Sequence, residues 1–302
     1  MFKIYKKHNK TKNTAIIEIY GNDKSTYAQI NLINGGSLQK LKFNNISVIK
    51  NIKQLDYKTT FASSILFPFA SRIKDGEYTF LNKLYRLPLN DEHKQNALHG
   101  LVYNKPFKMI KYDTNKNSAQ VALEYNHEEF IAGFPFKFSL QLSYTLTNND
   151  LKLEATVLNT GNESFPFSIG WHPYFWSSNL YLSELSFNSS KKITFAHPFI
   201  QTREVSCKNN GTIIIGDRKF DDCFVLNDAK VQFKTPNYTI SINSSSADNY
   251  LLVYTINEIG VIALEPLTAP PNCFINKKSL KIIEPNTQCS TIWNIELISK
   301  TI

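Results

Sequence analysis

Two short segments concentrate side chains able to move protons. In Gly170-Trp171-His172-Pro173-Tyr174-Phe175-Trp176 one imidazole sits among aromatic rings, and Gly170 and Pro173 restrict the backbone around it. In Val261-Ile262-Ala263-Leu264-Glu265-Pro266 an apolar run ends on a carboxylate, before the loop Leu267-Thr268-Ala269-Pro270-Pro271-Asn272. Imidazole titrates near neutral pH, and burial raises a carboxyl pKa unless a donor compensates. Together they offer general acid–base chemistry. Each also has a plain alternative: His172 as a satisfied core histidine, Glu265 as a solvated loop glutamate. Sugars commonly stack on rings such as those around His172, which makes Trp171 a candidate substrate contact.

Three further groups could orient a substrate. His99, in Asn96-Ala97-Leu98-His99-Gly100, precedes a glycine that permits a tight backbone path; alone it is unremarkable and reads first as a loop histidine bonded to a carbonyl. Arg72 follows the apolar stretch Phe67-Pro68-Phe69-Ala70-Ser71, where a guanidinium needs partners. Its planar donors suit sugar hydroxyls or a salt bridge. Asp221 and Asp222 precede Cys223-Phe224 and could accept from hydroxyls or simply form a turn. The histidines, at 8, 93, 99, 127, 172 and 197, fall in no metal-ligand spacing. Phosphate-binding glycine loops and a G-x-S-x-G elbow are also missing. The expectation is a site with no metal and no cofactor.

The elements that must position these groups read as strands. Apolar residues occupy alternate positions from 138 to 146, and alternation resumes with Leu151, Leu153, Ala155 and Val157 after Asn148-Asn149-Asp150. That pattern predicts an antiparallel hairpin with one buried face. Further strands are predicted at 120–125, 212–215, 231–233, 238–242, 250–256, 261–264 and 291–297, most bounded by Gly, Pro, Asn or Asp. No window of a dozen residues carries a helical apolar stripe. Many short strands without crossover helices predict an all-β fold, a large antiparallel β-sandwich. No linker, repeat or low-complexity tract divides the chain, so one domain over 1–302 is expected.

Composition narrows the partners. The chain has 302 residues, 42% hydrophobic and 20% charged, near the average for soluble globular chains. Its net charge of +9 rests on dispersed lysines with only Arg72, Arg86, Arg203 and Arg218 as arginines, a poor match to the clustered cations of nucleic-acid proteins. The longest apolar stretch, 250–256, is far short of the roughly 18 residues a bilayer span needs, and the start lacks a signal-peptide core. Cys207, Cys223, Cys273 and Cys289 form no C-x-x-C pair, as expected of reduced thiols. A cytoplasmic protein with no nucleic-acid or membrane partner is expected.

In order along the chain, these segments resemble the galactose mutarotase (aldose 1-epimerase) family. The matching pieces are Gly35-Gly36, Ser71-Arg72-Ile73 with Gly76-Glu77-Tyr78-Thr79-Phe80, Leu98-His99-Gly100, His172-Pro173-Tyr174-Phe175, Asp221-Asp222-Cys223-Phe224, and Glu265-Pro266 with Pro271-Asn272. The resemblance implies a large β-sandwich that interconverts α and β anomers of an aldose without a cofactor. It implies His172 as the acid that protonates the ring oxygen and Glu265 as the base for the anomeric hydroxyl. It implies His99 as a second imidazole near the ring oxygen, and Arg72 with Asp221 as the pair that positions hydroxyls. Two features depart from the family pattern. Ser71 stands where an Asn usually precedes the Arg, and the acidic turn has Cys223 after two acids, so Asp222 remains an alternative to Asp221. The implied partner is a small-molecule hexose, the assembly a monomer or homodimer. The related hexose-6-phosphate 1-epimerase activity and a noncatalytic carbohydrate-binding module are the alternatives.

Overall fold

Strands Phe138–Leu146 and Asp150–Asn159 pair antiparallel, with Leu142 opposite Ala155 and Leu146 opposite Leu151. Their alternate apolar residues are buried on one shared face, as the period-two pattern requires. The computed structural model describes residues 1–9, 14–52, 54–91, 95–196, 200–209, 211–256 and 260–300. His93 and His197 lie outside the described residues. The other sequence-read strands coincide with observed ones, mostly longer: 120–125 falls within Ala119–His127 and 291–297 within Gln288–Lys300, whereas 212–215 and 250–256 each overrun by one residue the observed Thr212–Ile214 and Tyr250–Thr255. Only two short α-helices occur among the described residues, Tyr57–Thr60 and Cys273–Asn276. None is long and apolar enough to cross a membrane.

The described strands build an antiparallel sheet of fifteen and, from the N-terminal strands in sequential order, an antiparallel sheet of five, with three two-stranded ribbons beside them. The two large sheets share a core. Ile17, Ile30, Leu41 and Phe43 of the smaller belong to one buried cluster with Leu123, Leu140, Leu142 and Trp293 of the larger. Their contact is tight at Gly36, where φ is 63° and a Cβ would stand 3.1 Å from Leu142 and 3.2 Å from Leu123. The buried Tyr144 hydroxyl donates to the Gly36 carbonyl at 2.8 Å across the same junction. The architecture is therefore an all-β sandwich.

One end of the large sheet is organised around three neighbouring strands. Tyr250–Thr255 lies between Asp221–Lys234 and Val261–Leu267, and Tyr174–Trp176 pairs with the far edge of Val261–Leu267. Register places Asp221 opposite Tyr254, Tyr254 opposite Ala263, and Ala263 opposite Tyr174, a single cross-strand row. Two residues along, Leu252 stands opposite Glu265. Residues opposite one another share a face, and so do residues two apart on a strand. Glu265, Asp221, Tyr254 and Tyr174 are thus aimed at one side of the sheet by pairing alone.

Candidate active site

That side of the sheet forms the floor of a pocket of about 280 Å³, lined by Arg72, His99, His172, Tyr174, Asp221, Tyr254 and Glu265, with Phe61, Ser71, Leu98 and Leu252 around them. Glu265 lies inside its strand rather than at the strand end, and it is 1% exposed. The solvated loop alternative is excluded. His172 follows Gly170–Trp171, its backbone N–H donating to Ser64 O at 3.1 Å and its carbonyl accepting from Ser63 N at 2.8 Å. Its Nε2 stands 3.3 Å from Glu265 Oε1. The imidazole stacks on Tyr174 with centroids 5.1 Å apart and meets the His99 ring edge-on at 5.1 Å.

His99 reaches the pocket through an unusual turn. Its φ is 59°, and its N–H donates to Ser71 O at 2.9 Å, so two loops distant in sequence are tied backbone to backbone. Gly100 follows at φ 75°, where a Cβ would lie 2.1 Å from Phe67 O; no other residue fits. Arg72 sits on the two-residue strand Arg72–Ile73, paired with Ala97–Leu98, and its Nε donates to Asp91 Oδ2 at 2.7 Å. The guanidinium is partly buried, its side chain 17% exposed, and the Asp91 carboxylate meets its need for a partner.

The acidic pair separates cleanly. Asp221 lines the pocket, whereas Asp222, the next residue of the same strand, forms an ion pair with Lys192. Trp171 does not contribute as expected. It is fully buried, its Nε1 donates to Ser63 O at 3.2 Å, and its ring packs on Trp293. Adjacent extended residues face opposite ways, so a strand that turns His172 into the pocket turns Trp171 into the core. The aromatic walls are Tyr174, Tyr254 and Phe61, none singled out from the sequence. Tyr174 was accessible to the same rule, because it lies two residues after His172. Among the other histidines, His127 is buried on Phe138 with its Nδ1 3.0 Å from Tyr125 OH, and it does not line the pocket.

Burial dominates the electrostatics. It drives the His172 pKa down to about 3. It also takes His99 well below 6.5, with His172 and Arg72 adding to the fall. Glu265 goes the other way: burial and then Asp221 push its carboxyl well above 4.5, against the pull of Arg72. Both members of the His172–Glu265 pair therefore favour their uncharged forms. Among the described residues, His99 Nδ1, His172 Nδ1 and Glu265 Oε2 are buried without a hydrogen-bond partner. Such orphans are rare in folded proteins and call for an explanation.

A second cleft, of about 390 Å³ beside Lys3, Tyr5 and Lys7 on the smaller sheet, contains the buried Glu18. Its carboxylate is already saturated by Lys7 at 2.6 Å, Tyr27 at 2.9 Å, Tyr20 at 3.2 Å and Gln29 at 3.3 Å. No group of three or more His, Cys, Asp or Glu side chains among the described residues is placed to hold a metal ion.

Fold and site define a β-sandwich protein with a buried imidazole–carboxylate pair on the floor of an open pocket. Residues 20–296 match the model of the aldose 1-epimerase family, and the chain belongs to that family. It is similar to the Escherichia coli K12 protein YihR, with 24% identity over 273 residues that cover 86% of this chain and 87% of that one. In fold it is similar to a galactose mutarotase-like protein from Clostridium acetobutylicum, with a TM-score of 0.85 at 20% identity over 98% of both chains. It is likewise similar to galactose 1-epimerase from Lactobacillus acidophilus NCFM, with a TM-score of 0.83 at 15% identity over 100% of this chain and 99% of that one.

Proposed function

We propose that this chain is an aldose 1-epimerase that interconverts the α and β anomers of a free hexose by acid–base ring opening and closure. The observation that carries the reading is the 3.3 Å approach of His172 Nε2 to Glu265 Oε1 in a site where both are buried. The chemistry follows from where one proton sits. With Glu265 anionic and His172 protonated, Glu265 takes the proton of the anomeric hydroxyl while His172 gives one to the ring oxygen. The C1–O5 bond breaks and the aldehyde forms. The pair is left as neutral imidazole and neutral carboxyl, the state that burial favours. Rotation about C1–C2 presents the other carbonyl face, and on closure Glu265 returns its proton to the carbonyl oxygen while His172 takes one back from the C5 hydroxyl. His99 donates toward the ring oxygen, and Arg72 and Asp221 hold hydroxyls. These groups come from distant parts of the sequence, which supports reading 1–302 as one domain.

A hexose 6-phosphate fits less well. Among the described lining residues Arg72 is the one cation apart from the imidazoles, it already bonds Asp91, and Asp221 and Glu265 are acids. A phosphate dianion would find its one guanidinium already paired and the Asp221 acid beside it. A purely binding module would have no use for two groups whose ionisation burial opposes. Polarimetry on freshly dissolved α-glucose, α-galactose and a hexose 6-phosphate tests all three. Faster rotation change with a free hexose is expected. Sugar binding with no acceleration would leave a binding module, and preference for the phosphate would establish the alternative enzyme.

A further inference from the structure

The side chain of Asn272 is diverted from the role its position suggests. It precedes the helix Cys273–Asn276, where an asparagine ordinarily turns its amide oxygen onto the helix's own N–H groups. Its carbonyl does begin the helix, accepting from Ile275 N at 3.0 Å and Asn276 N at 3.1 Å. Its side chain makes no capping bond. Instead Oδ1 accepts from Lys74 N at 3.1 Å, while the Asn272 N–H donates to Arg72 O at 2.8 Å. The two bonds bracket Arg72 and Ile73 on the edge opposite Ala97–Leu98. Asn272 is 7% exposed and holds φ at 64°, a left-handed conformation that asparagine tolerates. The segment bearing Glu265 runs directly on to Asn272, so this residue joins the strand of the carboxylate to the strand of the guanidinium.

We propose that Asn272 is a positioning residue that fixes Arg72 relative to Glu265. The proposal rests on the aldose-site reading above. Without the side-chain acceptor the Lys74 N–H loses its partner, and on this side the edge carrying Arg72 keeps only the Asn272 N–H bond to Arg72 O. The loss falls on recognition of sugar hydroxyls, because the His172–Glu265 approach does not depend on that bond.

Two replacements separate the contributions. Asn272→Gly keeps the left-handed backbone and removes the acceptor; Asn272→Asp keeps both. Mutarotation is measured on the aldose that the wild-type protein turns over best. Asn272→Gly is expected to raise KM about 3–10-fold, the worth of one neutral hydrogen bond, with kcat within about twofold of wild type. Asn272→Asp should restore KM to within about twofold. In an Arg72→Ala background, Asn272→Gly should add nothing further to KM. An unchanged KM in Asn272→Gly, no rescue by Asp, or an equal loss in both backgrounds would overturn the proposal and mark Asn272 as merely structural. A wild-type protein inactive on every aldose would overturn the function itself, and that result precedes any variant.

Discussion

The proposed mechanism asks Glu265 to be buried and basic at once, and the two demands conflict. Removing its basicity while keeping its shape isolates the second. Glu265→Gln should lower turnover by at least about 10²–10⁴-fold, the range for general acid–base groups, with sugar binding little changed. His172→Asn should do likewise. The double variant should lose far less than the product, because both groups serve one bond-breaking event. Near-normal anomerisation in a folded, sugar-binding Glu265→Gln protein, followed by NMR, would remove Glu265 from the mechanism. In the proposed mechanism the pair works with a single shared proton, so kcat/KM should trace a bell in pH. The acid limb belongs to entry of a second proton, near the depressed imidazole value of about 3. The alkaline limb belongs to loss of the last one, above the ordinary carboxyl value of 4.5 because burial raises Glu265. A profile that falls already on acidification from pH 7 to 5 would contradict the assignment.

At the scale of elements, the site depends on turns that ordinary backbone avoids. Ser71, His99 and Asn272 all have left-handed φ, at 56°, 59° and 64°, and backbone bonds link each to its neighbouring loop. Gly100 is the tightest point. Gly100→Ala forces a side chain into a left-handed conformation costing about 1–2 kcal/mol and into overlap with Phe67 O at 2.1 Å. A Tm drop of at least about 4 °C is expected, and calorimetry that finds less would mean the loop relaxes freely. These turns mark the limit of what the sequence discloses. The hairpin at 138–157 is legible because its period is local and its face is buried on one side only. His172, Glu265, Arg72, His99 and Asp221 are legible because chemically distinctive residues stand in a familiar order. Tyr254 and Leu252 are not, because what makes them walls is their register with Asp221 and Glu265, strands apart. Trp171 misleads for the opposite reason: its type suits a sugar, but only the strand's facing decides which neighbour of His172 enters the pocket.

Across the whole molecule, the cost of the site appears as pH-dependent stability. The Glu265 carboxyl pKa is raised on folding, so the folded state holds this proton more tightly than the unfolded chain. Its contribution is fully present below the unfolded value of 4.5 and is lost as pH rises through the raised folded value. Glu265→Gln removes that loss. Its Tm relative to wild type should therefore climb as pH rises past 4.5 and flatten once the folded carboxyl has ionised. A constant Tm difference from pH 4 to 9 would show that Glu265 titrates alike in both states. The approach of His172 to Glu265 has a last consequence for how the molecule can work. An ion pair and a neutral pair carry the same total charge, so the surrounding dipoles and the Arg72–Asp91 contact see the same monopole before and after ring opening. The proposed interconversion of two anomers asks its catalyst to run as well backward as forward. Under that proposal a scaffold latched by left-handed turns can remain still through the whole cycle, with only the sugar rotating inside it.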